Sequence, residues 1–97
     1  MVMRGSTPTQ RFEIPFDTEL LTEFNIYFAQ NGKTLLTKTM TDCRLEKNAI
    51  LLDLSRKDTL IFEHTKTLEI QLDLNFGEKW IPSYIKYVDV GGFLGEG

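Results

Sequence analysis

The sequence predicts an all-β domain, an antiparallel β-sandwich of about seven strands, from three observations. Apolar and polar residues alternate singly over much of the chain: in residues 68–76 (LEIQLDLNF) every second residue is apolar. A strand sends successive side chains to opposite faces, so this segment has one buried and one wet face; as a helix its apolar residues would be spread all round. Turn-forming groups such as Asn31-Gly32 and Gly77-Glu78-Lys79 separate the alternating runs, at the spacing of roughly 8–12 residues usual for sandwiches and barrels. Finally, 97 residues with 41% hydrophobic and 26% charged content suit one globular domain and not two. An immunoglobulin-like or jelly-roll-like arrangement is expected. Alternation does not reveal closure, so a small β-barrel is the alternative.

Along the chain, residues 1–8 read as a flexible N-terminal arm. Phe12, Ile14 and Phe16 then alternate with Arg11, Glu13 and Pro15; Pro15 lacks an amide donor and belongs on an edge or at a strand end. Phe24, Ile26 and Phe28 form the next apolar row, followed by Asn31-Gly32. Asn-Gly favours the type I′ turn of a tight hairpin, which would set Gln30 opposite Lys33, Phe28 opposite Leu35 and Ile26 opposite Thr37.

Residues 43–45 and 49–54 flank a short turn at Glu46-Lys47-Asn48, with Ile50, Leu52 and Leu54 pointing inward. Ser55 can cap one helical turn, for which a crossing loop is expected and not a true helix. Leu60, Phe62 and His64 resume the alternation before the strand at 68–76. Residues 80–90 are rich in aromatic and β-branched side chains, with Pro82 marking a bulge or an edge. Residues 91–97 form a glycine-rich tail that is not expected to hold a strand alone.

Composition narrows the possible functions. A net charge of −3, with 11 basic residues scattered among 14 acids, lacks the clustered positive surface that nucleic acid requires. A single cysteine, Cys43, excludes an internal disulfide and suits a reducing compartment. With no leader-like start and no long apolar run, the chain is expected to be made in the cytoplasm and not to enter a membrane.

Catalysis fails first on supply. One histidine and one cysteine leave Cys43 with His64 as the sole nucleophilic pair, and neither stands in a catalytic sequence context. No metal is expected: zinc wants more Cys and His than the chain has, and Asp17, Glu19 and Glu23, or Asp53 and Asp58, lack the spacing of a calcium loop. Gly91-Gly92 does not open a helix, so it implies no phosphate cradle. Glu69 and Asp73 line up on one strand face with Gln71 and Asn75, which reads as a solvated sheet surface and not a pair of carboxyls facing across a cleft. No enzyme activity and no cofactor are expected.

Aromatic residues are the more informative set. A thin core that already takes most of the seven Phe has little room for Tyr27, Trp80, Tyr84 and Tyr87, and exposed Tyr and Trp are typical of protein contacts. Trp80, Tyr84 and Tyr87, with Phe93 and Leu94 of the tail, are therefore the candidate interface residues.

Five segments, RGSTPT at 4–9, FEIPFD at 12–17, FAQNG at 28–32, DCRLE at 42–46 and LSRKDTL at 54–60, give the chain a resemblance to short proteins of prophages in Gram-positive gut bacteria, encoded among phage structural genes. The resemblance spans residues 4 to about 90 and transfers no catalytic or binding residue. It implies a structural part of a particle, such as a tail, baseplate or neck adaptor, which contacts other phage proteins and copies of itself and ends up in the virion. Two alternatives remain: a module binding carbohydrate through exposed aromatics, and a small phage regulatory protein.

Overall fold

The period-two pattern becomes strands in the computed structural model, which describes residues 1–92. In chain order they are β1 (Val2–Met3), β2 (Thr9–Glu13), β3 (Glu23–Gln30), β4 (Lys33–Thr39), β5 (Cys43–Glu46), β6 (Ala49–Asp53), β7 (Leu68–Asn75), β8 (Trp80–Pro82), β9 (Lys86–Val88) and β10 (Val90–Gly91). Besides a two-stranded β1-β10 ribbon there are two larger sheets, one of order β4-β3-β7-β8, with β9 also paired to β7, and one of order β2-β6-β5. All pairs in both are antiparallel. The sheets do not close into a barrel. Taking β8 and β9 as one broken strand recovers about seven substantial strands, apart from the short β1 and β10.

The core lies between the two sheets. Ile26, Phe28 and Ile70 of the larger sheet, and Ile50 and Leu52 of the smaller, are fully buried in one cluster with Phe24 and Phe12. Each such side chain contributes about 1.5–3 kcal/mol over its exposed state. Phe16 lies beyond β2 and packs edge-on against Phe76, with ring centroids 4.9 Å apart.

The hairpin turn forms as predicted, but its register slips. Asn31 and Gly32 have φ of 52° and 74°, as a type I′ turn requires, and Gln30 faces Lys33. Phe28, however, pairs with Leu36 and Ile26 with Lys38, not with Leu35 and Thr37. A β-bulge beside Phe28 sets two residues of β4 against one of β3. Strict alternation would send one of the adjacent leucines to water; with the bulge, Leu35 and Leu36 both pack against the core.

Three further expectations are corrected. Residues 1–8 are not a free arm: β1 pairs with β10 in parallel, Val2 opposite Val90 and Met3 opposite Gly91, and Val2 is only 1% exposed. The Arg4 guanidinium also donates to the Phe62 carbonyl. Burial of one apolar residue ties down a segment whose composition looks like a linker. The same pairing places Val90–Gly91 in a strand, at the start of the glycine-rich tail.

At the crossing between sheets, Arg56–Leu60 is a short helix, α1. The Ser55 side chain accepts from the Asp58 amide and the Asp58 carboxylate accepts from the Ser55 amide, so the cap is reciprocal. Residues 60–64 consequently form the end of that helix and a turn, not a strand. Phe62 still reaches the core, stacked on Phe28 at 5.7 Å.

Candidate interaction surface

The exposed aromatics follow from how the edge of the larger sheet is built. β8 pairs with one end of β7 and β9 with the other, leaving residues 83–85 to bridge the break. Ser83 holds it: its amide donates to the Leu72 carbonyl at 2.7 Å, and its hydroxyl accepts from the Leu72 amide at 3.0 Å. Gln71 Nε2 donates to the Ser83 carbonyl at 2.9 Å. With Ser83 fixed inward, Tyr84 turns outward and is 99% exposed.

Around Tyr84, the side chains of Trp80, Ile81, Ile85 and Tyr87 are all exposed, Tyr87 to 67%. The predicted Trp80, Tyr84 and Tyr87 therefore lie on one edge, within eight residues of chain. Phe93 and Leu94 lie outside the described residues. Ile85 and, on the Leu74 side of the same edge, Ile81 are also exposed there but were not predicted, because the phase of residues 80–90 is ambiguous around Pro82.

Paired residues map the outward face of the larger sheet, since residues directly opposite on antiparallel strands share a face. One row runs Thr34, Ala29, Glu69, Tyr87; the next Thr37, Tyr27, Gln71; then Thr39, Asn25, Asp73, Pro82; and last Glu23, Asn75, Trp80. Acids and tyrosines occupy these rows, and no lysine or arginine does. Asn75 is buried, and its Oδ1 has no hydrogen-bond partner among the described residues.

The outward face of the smaller sheet is different. Arg11 bridges Glu46 at 2.5 Å and Glu13 at 3.4 Å, and Arg44 bridges Asp53 at 3.0 Å. Thr9 also donates to Asp53. These bonds raise the Arg11 pKa, Glu46 acting most, and lower that of Asp53, Thr9 acting most. On this face every one of these charges is paired, whereas Glu69 and Asp73 on the other have no ion pair among the described residues.

Where Ala29 makes a gap in the outward face, a groove of about 310 Å³ opens between the hairpin turn and the strip. Tyr27, Thr34, Glu69, Gln71 and Ile85 line it. Trp80 does not.

Compared with protein-family models, curated proteins and solved structures, the chain matches none of them. Its local chemistry must therefore speak for itself. Burial first, and then the Asp42 charge, push the Cys43 thiol up to about 11, against a smaller opposing effect of Lys38. That leaves it protonated near neutrality, the reverse of an activated nucleophile. The thiol sits against the Thr39 carbonyl at 3.5 Å, whereas the His64 ring lies beside Gly92. Among the described residues there is no group of three or more His, Cys, Asp or Glu able to hold a metal, and no helix long and apolar enough to cross a membrane.

Proposed function

We propose that this domain is a non-enzymatic assembly module of a phage or prophage particle, acting through self-association and contacts with other structural proteins. The observation that carries the reading is the strip at residues 80–87, where Trp80, Ile81, Tyr84, Ile85 and Tyr87 are all exposed on one sheet edge. Single exposed apolar residues are ordinary, but a run of large ones along one edge is characteristic of protein contacts. The break at Ser83 adds to this. It interrupts the strand that would otherwise pair edge to edge without discrimination, so recognition here falls to side chains.

The particle role draws on the resemblance carried by the segments at 4–9, 12–17, 28–32, 42–46 and 54–60. Sandwiches of this size suit assembly because they need neither cofactor nor disulfide. The carbohydrate reading would be favoured by Trp80 in a concave site beside polar side chains. Trp80 instead lies outside the groove, opposite the buried Asn75.

Sedimentation velocity over a concentration series tests the proposal. Self-association with a Kd below about 1 mM is expected, weakened about tenfold or more by Tyr84→Ala or Trp80→Ala. A monomer throughout, or association indifferent to both substitutions, would refute it.

A further inference from the structure

We infer that the groove beside the exposed strip receives an arginine side chain from the protein partner, an inference that rests on reading this side of the molecule as a protein contact. Three features of the groove select that side chain.

The first is charge. Glu69 lines the groove, and Asp73 and Glu23 lie further along the same outward face with no basic residue in the paired rows, while the arginines of the opposite face are already bonded to Glu46 and Asp53. Uncompensated acids on a half-buried face favour a cationic complement.

The second is hydrogen-bond polarity. Glu69 is an acceptor when ionised. Gln71 spends one of its two Nε2 hydrogens on the Ser83 carbonyl, and its Oε1 remains an acceptor. The Thr34 and Tyr27 hydroxyls can turn to either role. A guanidinium carries five N–H donors and no acceptor, so it matches this set without leaving a lone pair unsatisfied. Sugar hydroxyls bring acceptors as well as donors, and the groove offers them one fixed donor, the second Nε2 hydrogen of Gln71.

The third is shape. Tyr27 faces Gln71, and Ala29 faces Glu69, so Tyr27 and Glu69 are diagonal neighbours, about 7–8 Å apart by usual sheet geometry. A planar cation bonded to Glu69 can lie over the Tyr27 ring, with its alkyl stem against Ile85 and Ala29. The volume of about 310 Å³ accommodates one such side chain.

The test is an amide-shift NMR titration of the full chain with the peptide acetyl-Gly-Arg-Gly-amide, its neutral citrulline analogue, and methyl β-glucoside. The arginine peptide is expected to shift Ala29, Gly32 and Glu69, with citrulline at least fivefold weaker. Glu69→Gln should weaken arginine binding at least fivefold and Tyr27→Leu about two- to threefold, with the rest of each spectrum unchanged. Equal binding of arginine and citrulline, indifference to Glu69→Gln, a response to the glucoside alone, or no response to any probe would each overturn the assignment. Trp80 and Tyr84 do not line the groove, so a failure here is separable from a failure of the self-association experiment.

Discussion

The side-chain amide of Gln30 and the backbone of Glu63 form a closed pair of hydrogen bonds: Nε2 donates to the Glu63 carbonyl at 2.8 Å and Oε1 accepts from the Glu63 amide at 2.9 Å. Nε2 also donates to the Lys66 carbonyl at 3.0 Å. Gln30 is buried at the end of β3, so one polar side chain fastens the hairpin to the turn that replaces the expected strand at 60–64. Gln30→Leu removes the bonds and leaves the loop carbonyls without their donor. A loss of about 1–3 kcal/mol is expected in urea unfolding, and amide exchange at residues 62–66 should accelerate.

Val2 offers a sharper discrimination. A residue on a free arm tolerates a charge, whereas Val2 is enclosed in the core and its amide donates to the Asp89 carbonyl at 2.8 Å. Val2→Asp buries a carboxylate with no partner and should cost about 2 kcal/mol or more. An unchanged urea midpoint would mean that β1 does not pair with β10.

What the sequence revealed and what it concealed divide along a physical line. Alternation in β3 and β7 and the Asn31-Gly32 turn were legible because each depends on a few adjacent residues. The bulge at Leu35-Leu36 was not, because it balances an ideal ladder against burying two neighbouring leucines, and the second depends on the opposing sheet. The pairing of β1 with β10 joins residues nearly ninety positions apart with no pattern longer than one apolar side chain at each end. At the candidate surface, Trp80, Tyr84 and Tyr87 stood out by residue type. The groove did not, since Tyr27, Thr34, Glu69 and Ile85 come together only through strand register.

Acid should act through Asp58. Burial raises the pKa of its carboxyl, but the Ser55 amide and the Lys38 ammonium, 3.1 Å away, outweigh this and hold it below the ordinary value. A depressed carboxylate pKa stabilises the fold above the unfolded-state value, about 3.9 for Asp, and that contribution is lost as the pH falls through the lower folded value. Asp58→Asn should therefore reduce stability at pH 7 and flatten the decline below about pH 4. Parallel pH profiles for the two proteins would show that the pair does not contribute.

The Cys43 thiol, pushed up to about 11, is about one part in a thousand ionised at pH 8. Alkylation by iodoacetamide in buffer should be on the order of a hundredfold slower than in urea, where the thiol regains its usual pKa. Comparable rates would show that the site is neither buried nor electrostatically disfavoured.

The most direct test uses Trp80, the single tryptophan of the chain, which sits within the proposed contact strip. Its emission should be blue-shifted at about 1 mM, where association is expected, and should move to the red on dilution to about 1 µM, following the sedimentation curve. An emission maximum that stays fixed while the chain associates would place the contact elsewhere. One that stays fixed with no association would remove the assembly function itself.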